Sequence, residues 1–328
     1  MIIMRKTVQA VTALSGSMMA SWRSGGVLPV FGQWMVLGGL GRAVHSTRAI
    51  MSTVLETIDG GARYLEKRGI EDARRNMQMM VAQQLGCTRM ELYTQFDRPL
   101  EEAQLVPLRE MLKQRGEGVP LQHLLGTVWF HGREFRCDAR ALIPRPETEE
   151  LAEWVLGWDL PDPCRVLDMG CGSGVLGLTL AAENPGWHVT LADVSLPSLA
   201  LTKENAARIG ITNATFVPSD LFQHLAGPFD LIVANLPYVP ETDRAELSRE
   251  VQHDPDLALF GGNDGLDVIR RFLDAVTGFL TPGGRVALEI GLGQAGEVAR
   301  LMNTAGLLEV EVKVDLSGVA RFPAGRRA

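Results

Sequence analysis

The chain has 328 residues, 46% hydrophobic and 22% charged, proportions that suit a folded protein with a buried core and exclude wholesale disorder. The formal net charge is −7 and no run of Lys and Arg stands out, which weighs against nucleic-acid backbone as the main partner, since that grip calls for a basic stripe. Four cysteines, Cys87, Cys137, Cys164 and Cys171, form no CxxC pair and no zinc-ligand spacing, so reduced thiols are expected and no metal.

The first fifty residues carry Arg5, Lys6, Arg23, Arg42 and Arg48 and no acid; the first acidic residue is Glu56. Beyond them 27 basic residues face 39 acidic ones, a balance of −12. Residues 1–51 are therefore expected to be a leader outside the globular fold, and three readings of it compete. It is an organelle transit peptide, a signal peptide whose apolar core Val27–Leu40 is too short to span a membrane, or sequence upstream of a start at Met51. The expected location is cytoplasmic, or organellar on the transit-peptide reading.

Residues 52–125 are expected to form a small helical bundle without chemistry of its own. One helix stops at Gly69, a second runs Asp72–Leu85 and closes at Gly86, and a third runs Leu100–Arg115 with Leu105, Leu108 and Leu112 on one stripe. Residues 126–142 change period: Val128 and Phe130, then Phe135 and Cys137, flank His131-Gly132 and predict a β-hairpin linker. Pro146, with Glu147 and Glu149 behind it, then starts a helix through Leu151, Trp154 and Val155.

From Cys164 onward strands and helices alternate. Strands are predicted at Arg165–Asp168, His188–Asp193, Ala214–Pro218, Asp230–Ala234, Arg285–Ile290 and Leu307–Val314. Helices are predicted at Gly174–Glu183, Leu196–Ile209, Leu266–Leu280 and Gln294–Ala305. This rhythm makes residues 143–328 an α/β domain with a largely parallel, Rossmann-like sheet covered on both faces.

Two segments carry chemistry. Val166-Leu167-Asp168-Met169-Gly170-Cys171-Gly172-Ser173-Gly174 is a strand running into a glycine turn and a helix, at the carboxyl end of the first strand, where open α/β sheets bind ligands. Asp193, nineteen residues past Gly174, ends the second strand, where a carboxylate can accept both hydroxyls of a ribose or cap a helix. The stretch Gly172 to Gly177 also fits the dinucleotide pattern GxGxxG, but an acid at the strand end followed by GxGxG resembles the first motif of class I S-adenosylmethionine-dependent methyltransferases. The second segment is Asn235-Leu236-Pro237-Tyr238, at the carboxyl end of Phe229-Asp230-Leu231-Ile232-Val233-Ala234. It resembles the (Asn/Asp)-Pro-Pro-Tyr motif of enzymes that methylate planar NH₂ groups. An amide or exocyclic amine is a poor nucleophile, and two acceptors holding its two hydrogens aim the nitrogen at the methyl group. Leu236 stands where a proline is usual, yet Pro237 still biases residue 236 toward extended backbone.

Across residues 52–326 the chain resembles the release factor glutamine N5-methyltransferases, the HemK/PrmC family. The likeness extends to Leu92-Tyr93, Phe96-Asp97-Arg98-Pro99-Leu100, Pro120 to Gly126, Ile143 to Glu149, and Ala258-Leu259-Phe260-Gly261-Gly262 with Asp264-Gly265-Leu266. The resemblance implies a class I methyltransferase fold with S-adenosyl-L-methionine as cofactor. The implied substrate is the glutamine in the Gly-Gly-Gln loop of class 1 peptide chain release factors, with no stable binding of nucleic acid. Implied cofactor contacts are Gly170, Cys171, Gly172, Ser173, Gly174, Asp193, Asp220, Leu221 and Asn235; Asp220 has a helix cap as its alternative. Implied catalytic residues are Asn235, Pro237 and Tyr238, and the substrate side is Asn235, Leu236, Pro237 and Tyr238. Arg145 and Glu147 fit either the shaping of a helix start or the lining of the glutamine entrance, and Gly261, Gly262 and Gly265 read as turn glycines. The competing functions are an adenine N6-methyltransferase acting on RNA or DNA and an inactive binding module of the same fold. A helical block placed before the catalytic domain favours the glutamine enzymes.

Overall fold

The computed structural model describes residues 52–328, so the expectations for the leader lie outside the described residues. Helix α1 (Val54–Glu66) starts where the Thr53 side chain accepts from the Glu56 N–H and Glu56 answers on the Thr53 N–H, a reciprocal cap. Helices α2 (Ala73–Leu85), α3 (Glu102–Gly116) and the short α4 (Leu121–Leu125) pack with it around Ile58, Leu65, Met77, Met80, Leu92, Leu100 and Leu108. Strands β1 (Thr127–Phe130) and β2 (Arg133–Arg136) pair antiparallel across His131-Gly132, the hairpin read from the change of period.

Helix α5 (Pro146–Leu156) leads into the sheet domain. There β3 (Arg165–Met169), α6 (Val175–Glu183), β4 (His188–Asp193), α7 (Leu196–Ile209), β5 (Ala214–Pro218) and β6 (Phe229–Asn235) follow in turn. After the four-residue α8 (Asp256–Leu259) come α9 (Asp267–Phe279), β7 (Leu280–Glu289), α10 (Ala295–Thr304), β8 (Leu308–Val314) and β9 (Ala320–Arg326). The strand order is β5-β4-β3-β6-β7-β9-β8, parallel except for β9, which runs against both neighbours. The chain winds outward from β3 to β5 and returns to β6 beside β3, so the switch point lies between β3 and β6.

Alternate residues of each central strand face opposite layers. Val166, Leu231, Val233 and Ala287 pack with α5, α6 and α7, while Leu167, Met169, Ile232, Ala234, Val286 and Leu288 pack with α9 and α10. Every strand predicted between residues 165 and 314 is present to within a few residues. The unpredicted one is β9, which inserts between β7 and β8. No helix among the described residues is long and apolar enough to cross a membrane.

Candidate active site

The glycine turn leaves β3 and folds against the end of β4. The N–H groups of Gly170 and Cys171 both donate to the Ala192 carbonyl, at 2.8 and 3.0 Å. Gly170, Gly172 and Gly174 take φ of +69°, +57° and +84°, a conformation a side chain would strain. Helix α7 holds the turn from behind: Thr202 Oγ1 donates to the Gly172 carbonyl at 2.8 Å and Asn205 Nδ2 to the Ser173 carbonyl at 2.9 Å. Cys171 is buried beside Thr202.

Asp193 braces the same turn. Its Oδ2 accepts from the Gly172 N–H at 2.9 Å and its Oδ1 from the Ser195 N–H at 2.8 Å. Burial pushes its carboxyl up, and the N–H groups of Ser195, Gly172 and Val194 pull it back down. An ionised carboxylate has about four acceptor positions, so acceptor capacity remains beyond these N–H groups. Asp168 serves the fold instead. It is buried at the end of β3 and accepts from the Gly177 N–H at 2.8 Å, tying β3 to the start of α6. Burial pushes its carboxyl up to about 7.

At the end of β5, the Ser219 N–H donates to the Asp193 carbonyl at 3.0 Å, which brings residues 219–221 beside the turn. Asp220 caps no helix, because none follows it before β6; it pairs with Arg271 of α9 at 2.8 Å. Leu221 takes φ +49° and packs at the edge of the α9 core.

Asn235 ends β6 in register with Glu289 at the end of β7. Leu236 turns its side chain into the core, and a Cβ on Gly170 would lie 3.0 Å from its Cδ2. The tetrad and the glycine turn therefore adjoin at the carboxyl ends of β3 and β6. Gln294 Nε2 donates to the Tyr238 carbonyl at 2.9 Å, and Val239 and Glu241 donate to the carbonyls of Leu259 and Gly262, both at 2.9 Å. A Cβ on Gly261 or Gly265 would strike the carbonyl of Pro237 or Tyr238, so these glycines are turn residues whose lack of a side chain lets residues 261–265 back the tetrad.

Residues 56–126 match the PrmC N-terminal domain family model and residues 156–274 the methyltransferase small domain model. The release factor glutamine methyltransferase of Deinococcus radiodurans is 45% identical over 67% of this chain and 78% of that protein. That of Geobacter sulfurreducens is 36% identical over 84% and 96%, and that of Rhodopirellula baltica 34% identical over 84% and 97%. The chain belongs to the release factor glutamine methyltransferase family. Among solved structures, a methyltransferase from Pyrococcus furiosus is similar with a TM-score of 0.47 at 17% identity, over 60% of this chain and 90% of that one.

As a release factor glutamine methyltransferase the protein uses S-adenosylmethionine, and the residues at the switch point fit it. A side-chain-free turn lets backbone approach the ligand, and Asp193 retains acceptor capacity there. Two residues the motif reading passed over also reach the site. Thr148, in the first turn of α5, donates to Glu289 Oε2 at 2.6 Å and accepts from Asn235 Nδ2 at 3.2 Å. Tyr238 donates through its hydroxyl to Glu289 Oε1 at 3.3 Å. Both Thr148 and Glu289 are buried. Thr148 lies inside the Pro-Arg-Pro-Glu-Thr-Glu run, but nothing in sequence connects it to a glutamate 141 residues away.

Arg145, at the cap of α5, reaches Asp254 at 2.9 Å, and the same carboxylate accepts from the Ile143 N–H at 3.1 Å. It thus anchors the segment after the tetrad to the start of α5. Burial pushes the Asp254 carboxyl up to about 6, opposed by the Arg145 guanidinium. Arg115, buried at the end of α3, donates to Asn76 Oδ1 at 2.7 Å, to the Val119 carbonyl at 3.1 Å and to Glu250 at 2.5 Å. The helical bundle is thereby fastened to the same segment.

Proposed function

We propose that this protein transfers the methyl group of S-adenosylmethionine to the side-chain amide nitrogen of the glutamine in the Gly-Gly-Gln loop of class 1 release factors. The observation that carries this reading is the contact between the glycine turn and the tetrad, Gly170 against Leu236, which sets a site for a planar NH₂ group against the cofactor turn. S-adenosylmethionine would supply an electrophilic methyl group on a sulfonium, with the thioether as leaving group, and the methylated amide gives up one of its two N–H protons. Asp193 holds the ribose hydroxyls, and residues 219–221 border the base.

On the substrate side, the Asn235 side-chain oxygen and the residue 236 carbonyl accept the two amide hydrogens, and Tyr238 lies against the planar group. An amide nitrogen held by both hydrogens cannot rotate its face away from the methyl, so positioning contributes most of the rate. Family membership favours this reading over methylation of adenine in RNA or DNA. The test is methyl transfer from labelled S-adenosylmethionine to a bacterial class 1 release factor, its Gln-to-Ala variant in the Gly-Gly-Gln loop, and a structured RNA. Label is expected in the unaltered release factor alone. Equal labelling of the glutamine variant, or label in the RNA, overturns the proposal.

A further inference from the structure

An Asn side chain presents an acceptor on one side and a donor on the other, and the two ends are nearly alike in shape. If the NH₂ of Asn235 faced the substrate, it would meet another NH₂ and repel it. Something must therefore define which end faces the cleft, and the hydrogen bonds behind Asn235 do so. Glu289 receives the Thr148 hydroxyl on Oε2 and the Tyr238 hydroxyl on Oε1. Arg321, itself held by Asp315 at 2.8 Å and by the Ile290 carbonyl at 3.0 Å, supplies a nearby positive charge. Two hydroxyl donors and a guanidinium suit an ionised carboxylate, which only accepts. Burial, with a smaller push from Glu147, raises the Glu289 carboxyl, and the Thr148 and Tyr238 hydrogen bonds and Arg321 oppose that without cancelling it; the geometry, two hydroxyls directed at its two oxygens, is what makes it the acceptor here. With its one hydrogen committed to Glu289, Thr148 Oγ1 can only accept from Asn235, so the NH₂ of Asn235 turns toward Thr148. Its Oδ1 then lies on the other side of the amide and accepts nothing among the described residues.

We propose that Thr148 and Glu289 are positioning residues for methyl transfer, orienting the Asn235 carboxamide so that its oxygen meets the substrate amide. Tyr238 hangs from the same carboxylate, so one buried group aligns two members of the tetrad. The inference rests on the role given to Asn235 above.

The experiment is a double-mutant cycle on the full chain, read by single-turnover methylation of a class 1 release factor, with S-adenosylmethionine affinity by calorimetry and thermal midpoints as controls. Thr148→Val keeps the shape and removes the hydroxyl. It is expected to slow transfer by roughly 10- to 100-fold while cofactor affinity stays within about twofold. Thr148→Ser restores the hydroxyl and is expected to stay within a few-fold of the unaltered enzyme. Glu289→Gln, whose amide can donate back to Thr148, is expected to slow transfer as Thr148→Val does. In the Asn235→Ala background, Thr148→Val should add no further loss, because there is no carboxamide left to orient. If Asn235→Ala is slow but Thr148→Val transfers at the normal rate, or if the two losses multiply, the positioning role is wrong and the role of Asn235 stands. If Asn235→Ala itself transfers normally, both fall. Should Thr148→Val fold poorly, the comparison of Thr148→Ser with Glu289→Gln decides the same question.

Discussion

Gly170 and Leu236 touch across the switch point, with 3.0 Å between a Cβ built on Gly170 and Leu236 Cδ2. Residue 236 thus has a buried side chain that packs beneath the glycine turn, and on the mechanism proposed above its backbone carbonyl serves the substrate. The Leu236 N–H donates to no backbone carbonyl among the described turn and loop bonds. Leu236→Pro, the residue usual in related motifs, loses packing and the N–H that follows the last paired residue of β6. It is expected to fold with about 1–2 kcal/mol less stability and to transfer methyl within a few-fold of the normal rate. Denaturant unfolding and single-turnover kinetics check this; a hundredfold loss of rate would show that the leucine side chain itself shapes the site.

On the proposed mechanism, Asn235→Ala removes one of the two acceptors for the amide hydrogens. Turnover is expected to fall by roughly 10²- to 10³-fold, by analogy with loss of one preorganised polar group. The thermal midpoint should hold, since Asn235 is only partly buried. A rate near normal in a folded variant would remove Asn235 from the mechanism.

Asp193→Ala deprives the Gly172 and Ser195 N–H groups of their acceptor and, on the proposed cofactor placement, the ribose of its own. S-adenosylmethionine binding is expected to weaken by roughly 10- to 1000-fold, from one or two charge-assisted hydrogen bonds. Calorimetry on the folded variant measures it, and unchanged affinity would refute the assignment.

Asp168 sets a pH dependence of stability. Its carboxyl rises from an ordinary 3.8 to about 7 on folding because it is buried. Between those values the folded chain holds more protons than the unfolded one, so stability falls as pH rises through that window. From pH 6 to 8 the loss from this group is about 1 kcal/mol. His123, pushed down by burial, acts in the opposite direction and mainly below its ordinary value of 6.5. Asp168→Asn keeps an acceptor for the Gly177 N–H and removes the titration. Melting curves at pH 6, 7 and 8 should show a downward slope that this substitution flattens; an unchanged slope would assign it to other groups.

Arg115→Leu cuts the link between the helical bundle and the segment carrying Glu250 and Asp254. Asn76 and the Val119 carbonyl lose a donor, whereas Glu250 is half-exposed and regains water. A stability loss of about 1–3 kcal/mol is expected, together with a higher KM for release factor and little change in S-adenosylmethionine affinity. A KM at the normal value would show that the bundle does not depend on this link to meet its substrate.

Local pattern alone determined most of the sheet domain. Strands buried on both faces read as short apolar runs, and the glycine turn, Asp193 and the Asn235 tetrad each sit at a strand end that the run itself marks. β9 was not legible: Ala320–Arg326 contains Pro323 and Gly325, which argue for a loop, and it is a strand because β7 and β8 flank it. The segment from Val239 to Gly262 holds only short turns of helix, α8 among them, too short to give a period, and is fixed in part by bonds to the carbonyls of Leu259 and Gly262 and by the ion pairs of Arg115 and Arg145. The same limit applies within the site. Sequence order showed that Asn235 lies at a strand end, but not which end of its amide faces outward. That was decided by Thr148 and Glu289, which come from a helix start and a different strand and meet only when α5 packs over the carboxyl ends of β6 and β7. Periodicity records what a residue buries; a hydrogen-bond partner 141 positions away depends on where the chain has folded, which no local pattern contains.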